Sequence, residues 1–148
     1  MDAVRVLEQD HHEIEMLFDQ YERAGVEEQP RLIERVCFQL EAHTRAEEET
    51  FYPAVRSALG QDGVELVEEA LAEHTRVARL IQEIRAFRPG DELMERKFAV
   101  LMDEVRYHVD EEESEMFPLV RANMEPQLGL LGEALEQRHQ ISGIVSYQ

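Results

Sequence analysis

The chain contains no tryptophan and a single cysteine, Cys37. One thiol excludes an intrachain disulfide. Its position in the apolar run Val36-Cys37-Phe38 marks it as a small core hydrophobe. Glycine and proline are also scarce, 7 and 5 in 148 residues, so little interrupts a helical pattern. No apolar run approaches the roughly 20 residues that span a bilayer. The first residues, MDAVRVLEQD, are acidic and helical in pattern and lack the apolar core of a signal peptide, which makes the cytoplasm the expected location. Basic residues are few: 15 Lys and Arg stand against 33 Asp and Glu, for a formal net charge of -18. A surface of that sign argues against nucleic acid or an anionic membrane as partner. It raises the local concentration of cations, although solubility accounts for most of the charge.

Hydrophobic residues make up 43% of the chain, enough for one helical domain over residues 1–148 with a substantial core. Val4, Leu7, His11, Ile14, Leu17, Phe18 and Tyr21 recur at steps of three and four, the stripe of a helix over about 3–24 that Gly25 ends. A second helix starts near Pro30 and carries Leu32, Ile33, Val36, Leu40, His43, Glu47, Phe51 and Ala54; Pro53 is expected to kink or loosen its last turns. Gly60 and Gly63 break it. The third helix, about 64–87, has Val64, Val67, Ala70, Leu71, His74, Val77, Leu80, Ile81 and Ile84 on one face. After the turn Arg88-Pro89-Gly90-Asp91, with Asp91 as N-cap, a fourth helix over about 92–122 turns Leu93, Phe98, Leu101, Val105, His108, Glu112 and Met116 inward. A shorter fifth helix, about 127–141, follows Met124-Glu125-Pro126, and the tail ISGIVSYQ has no clear pattern. The expected fold is all-α, an up-down-up-down four-helix bundle over about 3–122 with a short C-terminal helix.

Two of these helices share a motif. HTRAEEETFYP from His43 and HVDEEESEMFP from His108 align without a gap, pairing His43 with His108, Glu47 with Glu112, Glu48 with Glu113, Tyr52 with Phe117 and Pro53 with Pro118. Four residues turn a helix by about 400°, so each HxxxE aims an imidazole and a carboxylate in nearly the same direction. The preceding helices repeat as well: Asp10-His11 with Ile14, Leu17 and Phe18 matches Glu73-His74 with Val77, Leu80 and Ile81. His11 and His43 are 32 residues apart, His74 and His108 34. The chain is therefore two helical hairpins, each with a histidine on its first helix and HxxxE on its second. A single HxxxE usually means neighbours on a solvated face. Two in register, both on apolar stripes, point to a metal site, because buried carboxylates are costly unless paired or metal-bound.

Four imidazoles and two carboxylates without thiolate suit iron, then manganese, with zinc as a substitute. One ion cannot use all six and keep an open position. Two ions bridged by Glu47 and Glu112 can, with a water, hydroxide or oxo bridge and room for a small ligand. On this reading Glu48 and Glu113 point elsewhere, Glu113 lying about 140° from His108. His12 and His139 are expected on the surface, the alternative being that one adds a ligand or a supporting contact. Tyr52 is placed to hydrogen-bond near the site, Tyr107 to point away. Met16, Met102 and Met116 are expected as core filling.

The pattern H…HxxxE…H…HxxxE, with Asp-His on the first helix and Glu-Glu, an aromatic and Pro on the second and fourth, resembles the hemerythrin-like HHE cation-binding family over about residues 7–120. The resemblance implies a four-helix bundle with a non-haem di-iron centre ligated by His11, His43, Glu47, His74, His108 and Glu112, both glutamates bridging. Oxygen-carrying hemerythrins have a further histidine four residues after the third-helix ligand, where this chain has Ala78, and an aspartate as their last carboxylate. That gap speaks for oxygen, peroxide or nitric oxide chemistry at an open iron rather than simple oxygen carriage. Iron storage, buffering or sensing without turnover is the second reading. A ferritin-like carboxylate oxidase would need ExxH on core faces, which occurs only at Glu8-His11 and Glu136-His139. A purely structural adaptor leaves Glu47 and Glu112 without a purpose.

Overall fold

The computed structural model describes residues 1–147, with side chains through residue 139; Gln148, the last residue of the expected tail, lies outside them. The order is α1 (Ala3–Arg23), α2 (Gln29–Ala46), a π-helical turn (Glu47–Phe51), α3 (Tyr52–Ala86), α4 (Glu92–Glu111), a second π-helical turn (Glu112–Met116), α5 (Phe117–Asn123) and α6 (Glu125–Tyr147). There is no strand among the described residues. Local chemistry sets most boundaries. Asp2 and Asp91 cap α1 and α4, their carboxylates accepting from the N–H groups of Arg5 and Leu93. Pro30 stands in the first turn of α2, where its missing N–H has no intrahelical role.

Gly60 takes φ 62° and ψ -140°, a left-handed backbone open to glycine but strained for other residues, and α3 bends sharply there. Beyond the bend the chain folds back on itself. A Cβ on Gly63 would lie 2.7 Å from the Val55 carbonyl oxygen, so only a glycine lets the two arms of α3 pack this closely. The expected break between the second and third helices is this hairpin. The arm before Gly60 completes the helix begun by α2, and the arm after it is the bundle's third helix. With α1 and α4–α5 these make the four-helix bundle.

The core forms two apolar clusters. One joins Phe18, Tyr21, Ile33, Val36, Phe98 and Leu101 towards one end. The other joins Leu7, Phe51, Tyr52, Phe117, Val120 and Leu128 towards the other. Buried polar residues lie at intermediate sequence positions: His11 between Leu7 and Ile14, His74 between Ala70 and Val77. Cys37 is fully buried, and burial pushes its thiol up to about 12, consistent with a packing role.

Three expectations of orientation and extent change. Leu93 is 51% exposed and Met94 is buried in its stead, because Met94 is two helical turns from Leu101 and stays in phase with Phe98 and Leu101. Met16 is exposed, whereas Met102 and Met116 are core residues. The C-terminal helix is longer than expected. It begins at Glu125, after the non-helical Met124 (φ -125°, ψ 17°), and packs across α1 and the first π turn. Gly132 permits that contact, since a Cβ there would overlap the backbone of residues 1–3.

Candidate metal centre

Both HxxxE motifs run directly into the π turns. The N–H of Tyr52 bonds to the Glu47 carbonyl and that of Phe117 to the Glu112 carbonyl, each five residues back. Pro53 and Pro118 come next. Neither ring nitrogen can donate to the carbonyl four residues back, and the ring crowds that carbonyl. Widening the turn by one residue relieves the crowding without ending the helix. The loosening expected at Pro53 thus takes the form of a widened turn that lets the helix continue, and Pro118 repeats it.

All six candidate residues are buried: His11, His43, Glu47, His74, His108 and Glu112. Their ligand-type atoms gather in two overlapping groups, each within 4.8 Å: His11, His43, Glu47 and Glu112, and then Glu47, His74 and His108. Glu47 belongs to both. Its Oε1 lies 3.3 Å from His43 Nε2 and 3.0 Å from His74 Nε2. Glu112 spans the same gap, with Oε1 3.1 Å from His11 Nε2 and Oε2 3.5 Å from His108 Nε2. Among the described residues, His11 Nε2, His43 Nε2, Glu47 Oε2 and Glu112 Oε1 are buried without a hydrogen-bond partner. Lone pairs left unpaired in a protein interior are costly, and a cation at each focus would satisfy them.

The outer nitrogens explain the tautomers. Each Nδ1 of the four histidines meets a carboxylate: His11 with Glu113 at 2.8 Å, His43 with Asp10 at 3.0 Å, His74 with Glu48 at 2.7 Å and His108 with Glu73 at 2.6 Å. An Nδ1–H donated outward leaves the Nε2 lone pair aimed inward. The arrangement repeats across the two hairpins. The acid before each first-helix histidine serves the second helix, and the acid after each core glutamate serves a first-helix histidine. Glu48 and Glu113 stay outside the ligand groups, as their offset predicts, but each reaches the outer nitrogen of a histidine on another helix. Asp10 and Glu73 were visible as the repeated acid–His pairs, but their role crosses between helices.

Tyr52 enters the same space. Its hydroxyl donates to Glu112 Oε2 at 2.5 Å and lies 3.1 Å from Glu47 Oε1 and 3.2 Å from His74 Nε2. Burial, then Glu112 and Glu47, hold its pKa well above the phenol range, so it stays a donor. Ala78, one turn after His74, is exposed at the edge of the buried face, and Tyr52 occupies the space beside His74. His12 and Tyr107 are exposed and take no part. His139 does not join the six; it binds Asp10.

Charge is unevenly balanced in this core. Burial opposes the charge on Glu47, yet His43 together with hydrogen bonds from Glu112 and His108 outweighs it and holds the carboxyl well below its usual range. Glu112 is pushed up, by burial and then by the neighbouring Glu47. Two carboxylates this close do not both ionise easily without a cation. Burial would lower His108, but Glu47, Glu73 and Glu112 raise it to about 10. A raised histidine contributes stability fully below its ordinary 6.5, and that contribution is lost as the pH rises through about 10. Cations must displace these protons. Divalent metal uptake at pH 7 is expected to release about one proton or more per chain, read with an indicator in weakly buffered solution. The melting temperature of the metal-free protein is expected to fall from pH 7 to pH 10.

The pattern of the hemerythrin HHE cation binding domain matches residues 2–120. The chain is similar to a DNA nickase of Nostoc sp., 31% identical over 128 residues that cover 84% of this chain but 35% of that protein. It is also similar to the crystal structure of a hemerythrin HHE cation binding domain-containing protein from Mycobacterium kansasii. There the TM-score is 0.81 at 26% identity, over 99% of this chain and 91% of that one.

Proposed function

The chain belongs to the hemerythrin HHE cation-binding domain family, and from that premise we propose that it holds two iron ions and engages a small ligand: oxygen, peroxide or nitric oxide. His11 and His43 would hold one ion and His74 and His108 the other, with Glu47 and Glu112 shared between them. The observation that carries this reading is the pair of overlapping ligand groups with Glu47 common to both. A bound iron pair supplies redox change and exchangeable positions for a small ligand.

The protein's own residues do the rest. Asp10, Glu48, Glu73 and Glu113 orient the four imidazoles. Phe51 and Phe117, both buried and 5.9 Å apart, cover the end of the site nearest α6 and exclude water. Tyr52 holds a proton at the carboxylates. A groove between α1 and α4, floored by Phe18 and Val105, reaches His11 and gives a small molecule a path inward.

A second opening, bordered by Glu69, Glu73, Glu111 and Glu115, reaches His108 and Glu112. Its acidic rim favours cation entry and is what supports the alternative, iron storage or buffering without turnover. The Nostoc nickase's activity belongs to a protein of which this chain spans 35%, and a net charge of -18 opposes DNA binding. We therefore carry no nickase activity over. Metal analysis after expression with iron is expected to give about two irons per chain; at most one tightly bound ion would sink the dinuclear reading. Optical spectra with oxygen, peroxide and nitric oxide added in turn then separate the alternatives. A response to one of them supports ligand chemistry, and silence with all three leaves iron buffering.

A further inference from the structure

His139 lies outside the six-residue site and beyond the matched family region, which ends at residue 120. It is the one described histidine on α6. Its Nδ1 bonds to the Leu135 carbonyl at 2.5 Å, and its Nε2 lies 2.7 Å from each oxygen of Asp10. A carbonyl and a carboxylate carry no proton to offer, so both ring nitrogens donate and the ring is an imidazolium. Asp10 is 6% exposed and also accepts from His43 Nδ1. A cation on α6 therefore ends a chain that runs through Asp10 to His43.

The other hairpin has the opposite arrangement. Glu73, the counterpart of Asp10, accepts from His108, but its neighbours are Glu69 and Glu111. Carboxylate oxygens of Glu69, Glu73 and Glu111 lie within 4.8 Å of one another, so that outer position is crowded with acids and has no cation of its own among these residues. The repeat thus gives the two halves of the site the same inner residues and contrary outer charge. The docking of α6 does not depend on His139, because Leu128 and Leu135 are buried beneath it.

We propose that His139 is a positioning residue: its imidazolium fixes the Asp10 carboxylate against His43, so that α6 tunes the His11–His43 half of the site and makes the two metal positions unequal. The inference rests on the two-metal reading above. Charge on Asp10 polarises the His43 N–H and strengthens Nε2 as a ligand. Without the His139 cation, Asp10 keeps one of its two partners and is free to turn from His43.

The test is a cobalt(II) titration of the metal-free full chain, followed by visible absorption, for wild type, His139→Gln, His139→Ala and His139→Lys. Gln keeps a donor without the charge, and Lys keeps a charge without the ring. In Gln and Ala the affinity of one equivalent is expected to fall about 10-fold or more, with the other unchanged, and Lys should recover part of the loss. Asp10→Asn with His139→Ala should bind no more weakly than Asp10→Asn alone, since the two act in series. Wild-type affinity for both equivalents in Gln and Ala overturns the inference while leaving the two-metal reading standing. So does equal weakening of both together with a lower melting temperature, which would make His139 only an anchor for α6. A wild-type chain that takes up fewer than two equivalents overturns the two-metal reading and this inference with it.

Discussion

Glu47→Ala is expected to release both metal ions, and this is the largest single-residue effect on binding that the site predicts. Glu47 is the one residue shared by both ligand groups, with Oε1 3.3 Å from His43 Nε2 and 3.0 Å from His74 Nε2. Its removal would take a ligand from each metal position and leave Glu112 as the one carboxylate reaching both halves. Glu112→Ala should act in the same direction, since Glu112 reaches His11 and His108. Glu48→Ala and Glu113→Ala should be milder. Those carboxylates hold His74 and His11 by Nδ1, and loss of such a partner weakens metal affinity roughly 10- to 100-fold without abolishing it. Metal analysis after dialysis against a weak chelator separates the two classes. Retention of two metals by both Glu47→Ala and Glu112→Ala would refute the shared-carboxylate arrangement.

Removing the metal is expected to lower the melting temperature by on the order of 10 °C, the largest effect on stability. A ligand present at about 1,000 times its dissociation constant stabilises the folded state by about 4 kcal/mol, and a chain of this size shifts by a few degrees per kcal/mol. The fold should survive the loss, because the apolar clusters on either side of the polar layer are extensive. What remains is a buried layer with Glu47 and Glu112 in conflict and four inward-facing atoms unpaired. The matched measurement is thermal unfolding of the loaded protein, the chelated protein and the chelated protein after iron is returned. Equal melting temperatures for all three would count against a metal bound to the native state alone.

The inner site was readable because it rests on helical repetition. His43 with Glu47 and His108 with Glu112 are four apart, and that spacing shares a face on any helix. The same periodicity gave the helices and the apolar faces. It failed at Leu93, in the first turn of α4, where neighbouring apolar residues compete for the inward position and the phase set by Phe98 favours Met94. The outer layer was not readable in this way. Asp10 with His43 and Glu73 with His108 are contacts between helices, and nothing in local spacing says which acid meets which ring.

The sequence by itself determined the all-α bundle, the duplicated hairpins and the six inward residues, a His and Glu set suited to a metal. Each follows from a repeat of three or four residues or from the chemistry of side chains. Only the tertiary structure decided that Glu48 and Glu113 reach histidines on other helices, that the Tyr52 hydroxyl meets both core glutamates, and that His139 reaches Asp10. These depend on the π turns and on how far apart the packed helices lie. One extra residue in a turn rotates every side chain near it, and a one-dimensional pattern read at a fixed 3.6 residues per turn does not register that rotation.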